Sequence, residues 1–198
     1  MKLLVLATIM TTALYVGADA KGSSLKREDS QGMRENTVVH NFKEKDAASN
    51  WITVNDNVMG GRSKGGFAII KDRLIFSGAT NTNGGGFSSI RTNPKNLNFQ
   101  NKQGVIIRFK GDGRTYKFDV RMENSSVAHR VDFKTKENPK DWRTVKIDFD
   151  TLSPTWRGAA LSAQRFRLDT AKIKSIGFMI YDKKDGPFEL KVDWIKVY

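Results

Sequence analysis

The chain has 198 residues, with 34 Lys+Arg against 21 Asp+Glu, a formal net charge of +13, and no cysteine. The missing cysteine excludes disulfide staples, thiolate catalysis and Cys-based zinc sites, so stability must come from an ordinary packed core. The charge favours acidic partners of any kind and carries no information on fold.

Residues 1–20, MKLLVLATIMTTALYVGADA, place one lysine before an apolar run and end on small residues at Ala18 and Ala20. This is the pattern of a secretory signal peptide, with cleavage after Ala20. The run falls short of the about 20 apolar residues a membrane span needs. An amphipathic mitochondrial presequence would be rich in arginine, whereas the first arginine here is Arg27. Residues 21–36 are polar, mixed in charge and aperiodic, which predicts a disordered leader. Lys26-Arg27 within it is a candidate dibasic processing site.

From residue 37 to 198 the texture becomes that of one all-β domain. Eleven short runs rich in β-branched and aromatic residues follow in order: TVVHNF, WITV, GFAII, RLIFSG, GFSSIRT, GVIIRFKG, RTYKFDVRM, SVAHRVDFKT, WRTVKIDF, IKSIGFMIYD and FELKVDWIKVY. Several alternate with period two. Val127, His129, Val131 and Phe133 share one face of their run, as do Phe188, Leu190, Val192 and Trp194. Turn clusters at 55–61, 78–86, 111–113, 138–139 and 185–187 separate them. This spacing predicts an antiparallel sandwich or barrel. Short helices are expected only near Glu44–Ser49 and Ser162–Arg167.

The stretch at 55–67, NDNVMGGRSKGGF, has the residue types of phosphate loops, calcium loops and tight turns. Gly60 to Gly65 has P-loop spacing, but Gly66 and Phe67 stand where Lys and Ser/Thr are required. An EF-hand reading places Met59 at position five and Gly66 where the bidentate Glu belongs, so it fails. A turn is the reading that remains, with Asn57 tolerating positive φ and Asn55 and Asp56 bonding backbone amides.

Catalytic signals are sparse. His40 and His129 lie in separate strands, and neither a G-x-S-x-G elbow nor H-E-x-x-H occurs. No metal, cofactor or catalytic residue is expected. Asp56, Asp112, Asp182 and Asp193 lie near turns or strand ends, where a glycosidase pair could sit, but nothing raises one pair above another. Trp142 and Trp194 fall in alternating strands and are expected in the core, whereas Trp156, in SPTWRG, is the better candidate for an exposed contact. Asn124-Ser125-Ser126 is a candidate glycosylation sequon between two strands.

Trp51 with Val54-Asn55-Asp56-Asn57-Val58-Met59-Gly60-Gly61-Arg62-Ser63 resembles the signature W-x-x-V-N-D-G-V-M-G-G-x-S of the complex I intermediate-associated protein 30 family. Further blocks follow in order: Phe76-Ser77-Gly78 with Gly84 to Arg91, Gly111 to Arg114 with Tyr116, Trp142 to Phe149 with Pro154 to Gly158, and Ile176 to Ile195. Together the resemblance covers nearly all of 38–197, with Asn57 standing where the family usually has Gly. It implies a galactose-binding-like jelly-roll sandwich and, for the family's known member, a non-catalytic role in assembling mitochondrial NADH:ubiquinone oxidoreductase.

The expected signal peptide sets the reading apart from that role. The chain is expected to be a secreted, extracellular, non-catalytic binding protein that engages an acidic polysaccharide, glycoprotein or acidic matrix protein. It is expected to bind no specific nucleic acid and to carry no membrane span in its mature form. The alternatives are a mitochondrial complex I assembly chaperone and a carbohydrate-active enzyme. Candidate ligand-binding residues are Asn55, Asp56, Arg62, Lys64, Arg91 and Trp156, and the loops 55–66 and 78–86 are where a ligand is expected.

Overall fold

The computed structural model describes residues 36–137 and 139–198. The expected signal with its Ala20 cleavage site, residues 21–35 of the leader, Lys26-Arg27 and Asn138 lie outside the described residues.

Period-two alternation sorts the strands into two sheets, each with an inward apolar row. One sheet runs β3 (Lys64–Ile69), β4 (Leu74–Thr80), β13 (Gly186–Val197), β6 (Gly104–Lys110) and β9 (Arg143–Asp148), with β1 (Thr37–His40) also paired to β13. The other runs β11 (Ala159–Ala160), β10 (Ser153–Trp156), β8 (Ala128–Lys134), β7 (Thr115–Met122), β12 (Ile173–Ile180), β5 (Ser88–Thr92) and β2 (Trp51–Asn55). The pairings are antiparallel throughout. The architecture is the expected all-β jelly-roll sandwich.

Leu74, Phe76, Ile107 and Leu190 from the first sheet and Tyr116, Phe118, Ile176 and Phe178 from the second are fully buried between them. Each such side chain contributes roughly 1.5–3 kcal/mol through removal from water. Aromatic pairs add geometry to the core, as where Phe76 meets Phe188 edge-on at 4.9 Å.

All eleven expected runs form strands, and the row Val127, His129, Val131 and Phe133 faces inward. β10 and β11 were not anticipated. They are four and two residues long and the first contains Pro154, so local propensity reads the segment as loop. The helix expected near Glu44–Ser49 is only a 3-10 turn at Ala47–Asn50. Residues 162–167 form turns without a helix, Ser162 O accepting from the amides of both Arg165 and Phe166.

The core assignment of two tryptophans is corrected. In β13 the register slips between Val192, opposite Phe109, and Trp194, opposite Arg108. Asp193 is the extra residue of this bulge, and it moves Trp194 from the inward row to the outward one. Trp142 is half-buried among cations, with Arg73, Arg108 and Lys110 at 5.2, 5.6 and 5.5 Å from its ring centroid.

Candidate functional site

The Asn/Asp-rich stretch is organised around one carboxylate. Asp56 is fully buried and accepts four hydrogen bonds: from Ser63 N at 2.9 Å, Ser63 Oγ at 2.6 Å, Gly86 N at 2.6 Å and Phe87 N at 3.3 Å. Burial pushes its pKa up, but these donors outweigh burial and hold it below the usual carboxylate value. Gly61 passes so close that a Cβ there would sit 2.2 Å from the Asp56 carboxyl carbon. The left-handed residue of the turn is Gly60, with φ 85°, and not Asn57, which lies in the 3-10 turn Asp56–Met59. Asn55 does not bond an amide through its oxygen: its Nδ2 donates to the Gly65 carbonyl at 3.0 Å, and its Oδ1 is buried without a partner.

At the far ends of the same strands lies a groove on the outward face of the second sheet. Its volume is about 790 Å³, and its lining includes Ile52, Arg91, Lys95, Arg121, Lys174 and Ser175. Register explains how strands distant in sequence build it. Ile52, Arg91, Gly177, Asp119, Arg130 and Ser153 stand opposite one another in a single row across β2, β5, β12, β7, β8 and β10. Gly177 has no side chain, so Arg91 and Asp119 close over it from either side: a Cβ there would lie 2.9 Å from Arg91 Cβ and 2.7 Å from Asp119 Oδ1.

Asp119, although on the outward face, is 4% exposed and is clasped by Arg130 at 3.3 Å and Arg121 at 3.7 Å. Arg121 also donates from Nη1 to the Ser126 carbonyl at 3.3 Å, which leaves its buried Nε without a partner. Burial lowers the Arg121 pKa most; Asp119 opposes this, while Arg91 and Arg130 lower it further. The Arg91 side chain has no hydrogen bond or ion pair among the described residues. The loops at the groove edge are tied down by backbone hydrogen bonds: Lys95 N donates to Lys174 O and Glu123 N to Lys172 O, both at 2.9 Å.

Of the sequence candidates, Arg91 and Asn124 line this groove together. Asn124 is exposed at the β7–β8 turn with φ 54°. Arg62 and Lys64 are exposed beside the Asp56 turn, at the other end of the strands. Trp156 is 45% exposed under the Arg157 guanidinium, 4.8 Å from its ring. It lies four strand spacings from β5, about 19 Å across the sheet. Sequence reasoning missed Arg121, Lys95 and Lys174. Alternation in RTYKFDVRM does place Lys117, Asp119 and Arg121 on one face, but nothing local shows which strands flank them.

The two histidines occupy separate sheets. His40 packs against Phe42 and Trp51, and burial, then Lys95, lowers its pKa to about 4. His129 is 1% exposed and its Nε2 donates to the Phe166 carbonyl at 2.8 Å. No cluster of three or more His, Cys, Asp or Glu placed to hold a metal occurs among the described residues, and none of their helices is long and apolar enough to cross a membrane.

A family model described as complex I intermediate-associated protein 30 matches residues 40–192. The mouse (Mus musculus) protein named complex I intermediate-associated protein 30, mitochondrial, is 26% identical over 188 residues, covering 84% of this chain and 57% of its own length. The Neurospora crassa protein of that name is 35% identical over 93 residues, 45% of this chain and 32% of its own. The chain therefore spans little more than half of the mouse relative. Among solved structures, a family 11 carbohydrate-binding module from Clostridium thermocellum superposes with TM-score 0.57 at 16% identity, covering 82% of this chain and 94% of that one. At that identity the likeness establishes the fold alone.

These relatives correct the extracellular reading. The relatives that match this chain are named as mitochondrial, which overturns the expectation of a secreted protein and of an acidic polysaccharide, glycoprotein or acidic matrix protein as partner. The net charge of +13 that supported those partners favours anions in any compartment, so it could not locate the chain.

Proposed function

The chain belongs to the complex I intermediate-associated protein 30 family, and from that membership we propose that it is a mitochondrial, non-catalytic binding protein that assists the assembly of respiratory complex I. The observation that carries this reading is the family match from residue 40 to 192, which takes in almost the whole sandwich. The names of the mouse, Caenorhabditis and Neurospora relatives support the compartment and the process.

The side chains that chemistry would need have other duties, which supports binding over catalysis. Asp56 holds amides of two loops, and Asp112 accepts from the Tyr116 hydroxyl at 2.9 Å and Glu189 N at 2.7 Å. Asp182 pairs with Arg114, and Asp193 with Arg73 and Arg108. No base stands beside a nucleophile among these groups.

The test is removal of the protein from cells of its source organism, followed by native-gel separation of mitochondrial membranes stained for NADH oxidation. Mature complex I should fall and a smaller subcomplex accumulate, with recovery when the full chain is restored. Unchanged complex I in cells lacking the protein, or recovery of the full chain only outside mitochondria, would overturn the proposal.

A further inference from the structure

The groove on the outward face of the second sheet has a composition that the assembly role does not account for. Arg91, Lys95, Arg121 and Lys174 line it, against Glu123 as the sole lining carboxylate. Glu123 reaches only Lys174, at 3.8 Å, and Asp119 beneath is already shared by two arginines. Arg91 and Lys95 have no ion pair among the described residues and Arg121 has only its share of Asp119, so the cavity holds more positive charge than its carboxylates balance, a costly arrangement in a partly buried site unless an anion joins it.

We propose that this groove binds a small phosphate-bearing ligand, with Arg91 and Arg121 gripping the phosphate and Lys95 and Lys174 supplying the remaining charge. That excess suits a group with two or three negative charges better than a single carboxylate. The planar guanidinium fork matches phosphate oxygens in pairs. Arg121 is held from below by Asp119 and the Ser126 carbonyl, so its orientation is fixed before any ligand arrives. Its buried Nε still lacks an acceptor, and its side chain is only 22% exposed, so water does not replace the missing partner freely. Preorganisation of this kind strengthens binding by reducing the entropy lost on association.

The remaining lining fits such a ligand. Ser125 and Ser126 offer hydroxyls, Asn96 and Asn124 offer amides, and Ile52 offers an apolar wall. The volume of about 790 Å³ lies within the roughly 300–1,000 Å³ of sites that take small molecules. A free organic phosphate and a phospholipid headgroup share this chemistry. Phosphate binding at the groove and complex I assembly are separable properties, and either can hold without the other.

The experiment is calorimetric titration of the full chain with inorganic pyrophosphate and with ADP at low and moderate salt. One saturable site is expected. Arg91→Ala should weaken it by roughly tenfold or more, since it removes charge-assisted hydrogen bonds. Arg91→Lys should fall between, and Arg62→Ala with Lys64→Ala should change it by less than about twofold despite removing two charges. Because the Arg91 side chain has no hydrogen bond or ion pair among the described residues, its variants should melt at the parent's temperature, which a circular-dichroism melt checks. Absence of saturable binding overturns the proposal, as does equal weakening by the Arg62/Lys64 variant. Flotation with phosphatidylcholine vesicles doped with phosphatidic acid then separates the sources. Vesicle capture displaced by pyrophosphate indicates a headgroup, and no capture indicates a soluble phosphate. Capture that survives both Arg91→Ala and excess pyrophosphate overturns the assignment of the groove.

Discussion

Asp56 shows how much a single residue can fix in a cysteine-free chain. Its carboxylate takes donors from Ser63 and from Gly86 and Phe87, so it welds the turn after β2 to the loop before β5. Asp56→Asn would put an amide NH₂ where at least one of those donors now points, leaving buried groups unpaired. A loss of at least about 2 kcal/mol is expected, read from the urea midpoint. The pH dependence follows from the sign of the shift. The folded pKa lies below the unfolded one, so the carboxylate's contribution is complete above the ordinary carboxylate range and is lost as pH falls through the folded value. The stability gap between parent and variant should therefore hold from neutrality to about pH 5 and narrow below it. A gap that is absent at pH 7, or widens in acid, would show that the carboxylate is not the keystone. Asparagine, aspartate and paired glycines made a turn legible at 55–61. The donors at 86 and 87, thirty residues on, were not legible, because they depend on which loop the fold lays against this one.

At the scale of the element, strand identity was written in the sequence and strand phase was not. The run FELKVDWIKVY alternates cleanly, yet the bulge at Asp193 reverses the phase, because Asp193 bonds Arg73 and Arg108 and Trp194 is carried outward opposite Arg108. β12 carries the opposite lesson. In IKSIGFMIYD a glycine inside a strand looks like a weakness, but Gly177 is where Arg91 and Asp119 approach from the two flanking strands. A Cβ there would lie 2.4 Å from the Ile90 carbonyl oxygen, which is backbone and cannot turn aside. Gly177→Ala should cost about 2 kcal/mol as overpacking, a fall in melting temperature of roughly 4–8 °C for a chain of this size. It should also push Arg91 and Asp119 apart and weaken pyrophosphate binding. A variant with the parent's melting temperature and affinity would mean that the sheet relaxes around the methyl group, and that the close approach does not shape the groove.

Across the whole molecule the two ends of the sandwich are built differently. The end that carries 56–63, 81–87, 111–114 and 181–187 is locked by buried ionic and polar groups. Arg114 donates from Nε to Asp182 at 3.0 Å, and its Nη atoms reach Thr80 Oγ1 and the carbonyls of Lys184, Gly186 and Pro187. Asp182 raises the Arg114 pKa against the cost of burial, and Arg114 in turn holds Asp182 below the usual carboxylate value although burial pushes it up. The other end, where β5 and β7 finish and β12 begins, carries the unbalanced cations of the groove. Five steps along the chain lead from Gly177, in the Arg91 row, through the end of β12 to Asp182, roughly 15–20 Å at strand spacing, so the ends can be perturbed separately. Arg114→Met leaves Asp182 buried without its partner and should destabilise the fold by about 3–5 kcal/mol. Pairing it with Asp182→Leu should recover part of that loss, because the stranded charge goes too. Hydrogen exchange in the single variant should quicken at 82–87, 112–114 and 182–186, while 95–96 and 123–126 keep the parent's rates. At a temperature where the variant remains folded, its affinity for pyrophosphate should stay within about twofold of the parent's, although it has lost one of the chain's positive charges. A parallel collapse of affinity would mean that the groove is shaped from the locked end, or that binding follows total charge and not the four cations that face one another across it.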